Sequence, residues 1–212
     1  MFCNATDGLN YYRERSQRIS GQDIRHTVRV VTPPVTEPVT IQEAKAHLNV
    51  GASDDTHDDE LFAIIAASRE EWERDTSTAL ITRTLEHRLP QWLDTIRLTV
   101  RPVIAVSAVT YIDDAGDEQT VDDSDYYLDI DEIRFKTAFT RPTIEDRSEA
   151  IRITYTAGYG SDVNKLPQLD RAAIKLMIGY RFENRDMMVN DAINKTTAYE
   201  SLVAKKMRAS YP

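Results

Sequence analysis

The sequence predicts an α+β fold: a small bundle of three main helices with an antiparallel β insertion between helices 2 and 3, and extended N- and C-terminal arms. Three observations predict it. Apolar residues recur at helical spacing over about 58–79 and about 167–183, after a short capped helix at about 40–50. Between the two long stretches, over about 81–157, the apolar period falls to two, with turn residues between short runs. The first 31 and the last 22 residues hold neither period for long. The chain therefore divides into an N-terminal arm (1–31), a central domain (32–190) and a C-terminal tail (191–212).

The arm is polar and aromatic around Tyr11-Tyr12-Arg13-Glu14-Arg15, breaks at Gly21-Gln22-Asp23, and can extend over Thr27–Val31. Thr32 to Pro38 follows, with prolines at 33, 34 and 38. Proline fixes φ and disfavours helix in the residue before it, so this stretch reads as a stiff linker. Thr40 and Glu43 then match a capping box, with Val39 and Ala44 placed for a hydrophobic staple. This first helix should stop near Asn49-Val50-Gly51.

Asp54, Asp55, Asp58, Asp59 and Glu60 crowd the start of the second helix, where acids favour the positive end of the macrodipole. Leu61, Ile65, Ser68 and Trp72 form its stripe, widened by Phe62 and Ile64. In the β insertion Ile96, Leu98 and Val100 alternate with polar residues, and Val103–Ile112 is rich in β-branched residues. Asp113–Asp117 reads as a turn. Tyr126, Leu128 and Ile130 alternate with Tyr127 and Asp129, and Asp131-Glu132 can turn the chain into Ile133-Arg134-Phe135. Ile151, Ile153 and Tyr155 close the insertion. The third helix opens at Pro167, suited to a first helical position. Leu169, Ala173, Leu176 and Tyr180 line one face and Ile174, Ile178 and Phe182 another. A helix apolar on two sides is expected to be buried on two sides, one of them against a neighbouring subunit.

Composition excludes several classes of function. The formal net charge is −9, from 26 Lys+Arg against 35 Asp+Glu. Gripping phosphate over a whole surface needs an excess of Lys and Arg, so an all-over nucleic-acid binder is excluded. No apolar run approaches the length of a membrane span. Met1–Asn10 carries no basic start followed by an apolar run, so no secretory signal is expected. One cysteine, Cys3, permits neither an internal disulfide nor a paired-thiolate zinc site.

Chemistry is sought and not found. Counted from Asp113, an EF-hand would need acids at positions 3 and 5 and glycine at 6, but Ala115 stands third and Gly116 fourth. Asp54-Asp55-Thr56-His57-Asp58-Asp59 has no second cluster to complete a metal site. Gly158-Tyr159-Gly160 lacks the third glycine of a dinucleotide loop, and neither GxxxxGK[ST] nor GxSxG occurs. No cofactor, metal or catalytic residue is expected, and the protein is expected not to be an enzyme.

The order of several stretches carries a resemblance. These are Val31-Thr32-Pro33-Pro34; Glu37-Pro38-Val39-Thr40-Ile41-Gln42-Glu43-Ala44-Lys45-Ala46-His47-Leu48; Asp59-Glu60-Leu61 with Ile64-Ile65-Ala66-Ala67 and Glu71; Ile153–Gly160; Leu166-Pro167; and Tyr180–Arg185. Over residues 31–190 the chain resembles the head–tail connector (adaptor) proteins of long-tailed double-stranded DNA phages and gene transfer agents. The resemblance implies a structural homo-oligomeric ring, dodecameric in that family. It would dock beneath the portal protein, extend the DNA channel and offer an attachment surface to a tail-side stopper or terminator protein. It implies a virion protein of the neck, assembled in the host cytoplasm, without membrane contact. DNA would pass without specific binding.

On that reading three residue sets acquire roles. Tyr199, Leu202, Val203, Met207, Arg208 and Tyr211 are candidate portal anchors, since aromatic and Met side chains carry binding energy. Leu169, Ile174, Leu176, Ile178, Tyr180 and Phe182 are candidate subunit-packing residues. Asp54, Asp55, Asp113, Asp114, Asp117 and Glu118 are candidates for an acidic channel lining that repels DNA. Alternatives are another neck protein of the same particle, such as a stopper, a metal-dependent hydrolase using the acidic clusters, and a host-side binding module.

Overall fold

The computed structural model describes residues 12–19, 22–184 and 197–209. It is α+β, and it separates into two compact units, residues 1–34 with 82–158 and residues 35–81 with 159–212. The first is a sheet unit and the second a helical unit.

The sheet unit holds β1 (Tyr12–Ile19), β2 (Gln22–Thr32), β3 (Arg83–Leu89), β4 (Thr95–Arg97), β5 (Val103–Ile112), β6 (Glu118–Thr120), β7 (Tyr126–Asp129), β8 (Glu132–Phe135) and β9 (Ile151–Ala157). Six strands form one sheet in the order β1-β2-β3-β9-β5-β6, and β4-β8-β7 form a second; every pairing is antiparallel. The period-two pattern is written directly into β3 and β9, where alternate residues are buried. Leu85, Leu89, Ile151, Ile153 and Tyr155 form the centre of this core. Trp92 joins the two sheets, with its ring 5.5 Å from Tyr111 of β5 and 5.4 Å from Phe135 of β8.

The helical unit holds α1 (Ile41–His47), α2 (Asp58–Thr76), α3 (Gln168–Glu183) and α4 (Thr197–Ala209). The Thr40/Glu43 capping box forms, and Val39 and Ala44 are fully buried beside it. Leu61, Ile65, Ser68 and Trp72 of α2 are buried as one stripe. Phe62, expected to widen that stripe, is 54 % exposed.

The structure corrects three expectations. The stretch 1–31 is not an arm throughout: β2 pairs with β3 from Thr27 to Thr32 and buries Val28 and Val30 opposite His87 and Leu85. The sequence allows a short extended piece over Thr27–Val31, but its partner strand lies over fifty residues away, so local pattern could not find the pairing. The second correction is a fourth helix, α4, inside the predicted tail; its 13 residues fall short of a self-sufficient helix without packing. The third concerns the β7–β8 turn, expected at Asp131-Glu132. The β7–β8 turn comes one residue earlier than expected, at Ile130-Asp131, and leaves Ile130 at φ +58° and 83 % exposed.

Candidate interaction surfaces

The C-terminal helix is tied into its own unit by polar anchors. In the C-terminal part of α2, the Trp72 indole N–H donates to Asp170 Oδ1 at 3.1 Å. The other Asp170 oxygen accepts from Lys206 Nζ at 2.8 Å, and the same ammonium donates to the Tyr159 hydroxyl at 3.0 Å. Burial alone would depress the Lys206 ammonium, but the bonds to Asp170 and Tyr159 outweigh it and hold its pKa above the ordinary lysine value. Tyr199 is buried, its ring 5.7 Å from Trp72, and its hydroxyl donates to Asp75 at 2.8 Å. Burial and that carboxylate push the phenol pKa up.

A second polar cluster fixes the linker to the helices. Arg69 Nε and a terminal nitrogen grip Glu37 at 2.8 and 3.2 Å, and its other terminal nitrogen reaches Glu73 at 3.0 Å. Glu73 Oε1 in turn accepts from the Leu80 N–H at 2.8 Å. Arg181 bonds Glu71 at 2.6 Å and Arg171 pairs with Glu43, so α3 is charge-paired to both α2 and α1. These groups tie the linker and the helices of the unit together.

The predicted portal anchors divide accordingly. Tyr199 faces the chain's own core and is not a free anchor. Leu202 and Val203 are half-buried against the same core, Met207 is half-buried and Arg208 is exposed. Tyr211 lies outside the described residues. The α3 set divides too. Ile174 and Ile178 are fully buried with Ala173 and Met177 in the core of the unit. Leu169, Leu176, Tyr180 and Phe182 flank that stripe half-buried, and His57 meets Phe182 edge-on at 5.7 Å. The two faces read from the sequence are thus one deep stripe with half-covered shoulders.

The acidic sets are exposed, with one exception. Asp54, Asp55, Asp114, Asp117 and Glu118 are solvated. Asp113 is half-buried and serves its own turn. Its carboxylate accepts from the Gln119 amide at 2.9 Å and from the N–H groups of Asp117 at 2.9 Å and Ala115 at 3.0 Å, and these bonds lower its pKa. Glu118 pairs with Arg152 at 3.1 Å. Among the described residues no three His, Cys, Asp or Glu side chains gather as a metal site, and no helix is long and apolar enough to cross a membrane. Sequence reasoning missed the apolar exposures of the sheet unit, at Val31 of β2, Ile104 of β5, Tyr127 of β7 and Ile130.

This arrangement of strands and helices recurs in solved particle structures. One chain of the neck of an empty GTA particle, computed with C6 symmetry, matches with a TM-score of 0.67 at 23 % identity, over 85 % of this chain and 94 % of that one. The chain shares its fold with proteins of the gene transfer agent particle. A chain of the native gene transfer agent virion matches at TM-score 0.62 and 23 % identity, covering 82 % of this chain and 94 % of that one. A chain of the native GTA neck with C12 symmetry matches at 0.61 and 23 %, covering 83 % and 94 %. No protein-family model and no curated protein matches the sequence.

Proposed function

We propose that this protein is a structural subunit of a particle neck, a head-to-tail adaptor that forms a ring beneath the portal and extends the DNA channel toward the tail. The observation that carries the reading is the fold likeness to a chain of a symmetric GTA neck, over nearly the whole of that chain. The molecule's own chemistry agrees with it. Several of its buried polar groups serve as ties between elements, as in the Trp72–Asp170–Lys206 cluster. Its acids are spread on the surface, where Asp54, Asp55, Asp114, Asp117 and Glu118 would present like charge to passing phosphates. The portal contact falls to the outer side of α4, through Arg208 and the half-buried Leu202, Val203 and Met207, with Tyr211 beyond it. The half-covered shoulder of α3, Leu169, Leu176 and Tyr180, is the side offered to a neighbouring subunit.

Electron-microscopic reconstruction of the particle's neck tests this directly. The expected result is a ring of this chain in the layer touching the portal. Density for it only below another ring would convert the assignment to a stopper, and its absence from the particle would end the neck reading.

A further inference from the structure

Among the apolar features that the sheet unit turns to solvent, two lie away from the exposed Val31 of β2 and differ in kind. The first is a knob. Ile130 stands at the first position of the two-residue turn between β7 and β8, at φ +58° and 83 % exposed. A two-residue hairpin turn with positive φ only at its first position is of type II′, where glycine is the ordinary choice. A β-branched residue there is an outlier, and such strain persists where another interaction gains from the side chain. Tyr127 of the same hairpin is 49 % exposed. The charges around the knob are already matched. Asp131 pairs with Arg97 at 3.5 Å and Arg101 at 3.3 Å, and Arg134 pairs with Asp129 at 3.2 Å and Glu132 at 3.1 Å.

The second is an edge. β9 covers one side of β5 from Val103 to Tyr111, but β6 covers the other only from Thr110 to Ile112. Among the described residues the stretch Val103–Ala108 is therefore an unpaired sheet edge, and it carries no charged residue. Ile104 is 51 % exposed, and Ala105 and Ser107 are exposed beside it. Irregularities between Val103 and Ala105 and between Val106 and Ala108 break its register. Such bulges hinder the addition of a further strand and leave an apolar seat for side chains.

We infer that the Ile130 knob of one copy seats on the Val103–Ala108 edge of the next copy, as a head-to-tail contact of the ring. This rests on the ring reading above. A ring closes through a heterologous contact, which needs two different patches on every copy. Copies of net charge −9 repel, and the approach is least opposed where charge is absent or internally matched, as at both of these patches.

The test compares the full-length wild type, Ile130→Gly and Ile104→Arg by sedimentation velocity and mass photometry in high salt, where self-repulsion is screened. Wild type should form closed oligomers. Each variant should need about tenfold or more concentration to associate, or stay monomeric. An equimolar mixture of the two should recover dimers and nothing larger, because one intact knob meets one intact edge. Ile130→Gly should also melt above the wild type, since glycine suits the turn, which separates lost assembly from lost folding. If Ile104→Arg fails to fold, Ile104→Ser takes its place. Rings that Ile130→Gly leaves unchanged, or a mixture that stays monomeric, would overturn the knob while the ring reading stands. A wild type that is monomeric under every condition would overturn the ring reading itself.

Discussion

At the scale of single residues, His87 sets a pH limit on the sheet unit. It is fully buried on β3, with His26 at 4.8 Å between ring centroids, and neither of its ring nitrogens has a hydrogen-bond partner among the described residues. Burial, then the neighbouring His26, lowers its pKa from 6.5 to about 3. The unfolded chain therefore takes up a proton that the folded chain refuses. The stability tied to the neutral ring is intact above pH 6.5 and is lost progressively as pH falls from there toward 3. Thermal midpoints measured across that window should drop for the wild type and flatten for His87→Leu. A wild type with no slope would refute the buried neutral imidazole. Lys206 gives a second residue-scale test. Lys206→Met leaves the Asp170 carboxylate buried and without its ammonium, which should cost about 3–5 kcal/mol. Chemical denaturation of the helical unit measures it, and a loss well below 1 kcal/mol would mean that Asp170 is solvated.

At the scale of elements, α4 shows how a segment's role depends on what lies across from it. Its sequence mixes Tyr, Leu, Val and Met with basic residues, which equally describes an anchor for another protein. The structure spends Tyr199 on Trp72 and Asp75, and Lys206 on Asp170, within the same unit. A chain ending at residue 196 should consequently lose stability as well as partner binding. Tyr199→Phe, which removes one bond to a carboxylate, should cost about 1.5–3 kcal/mol. An unaltered melting curve for the truncated chain would place α4 off the core. The first helix is the opposite case. Its capping box was legible because Thr40 and Glu43 are three residues apart, and Thr40→Ala should cost about 1 kcal/mol by denaturant titration. The β2–β3 pairing and the Ile130 turn were not legible, because the first depends on a distant strand and the second on a one-residue shift in where the turn falls.

At the scale of the whole molecule, charge governs assembly. If twelve copies of a −9 chain close a ring, the formal charge is about −108 before counterions. Self-association should then strengthen with salt, since the screening length shrinks from about 30 Å at 0.01 M to about 8 Å at 0.15 M. Light scattering across that range measures it; association that weakens with salt would point to an interface held by ion pairs. Duplex DNA should not be retained at moderate salt, and tight binding would exclude a non-adhesive channel.

The sequence by itself determined the elements whose causes are local: the capped first helix, the α2 stripe, the alternating β9 and the acidic surface. Periodicity, capping and charge act over a few neighbouring residues, so they can be read there. Only the tertiary structure decided that β2 joins the sheet, that Tyr199 and Lys206 turn inward, and that Ile130 stands outside. The first two outcomes depend on partners far away in the chain, such as Asp75, Asp170 and β3, because burial is a property of the pair, and the third on where a two-residue turn falls.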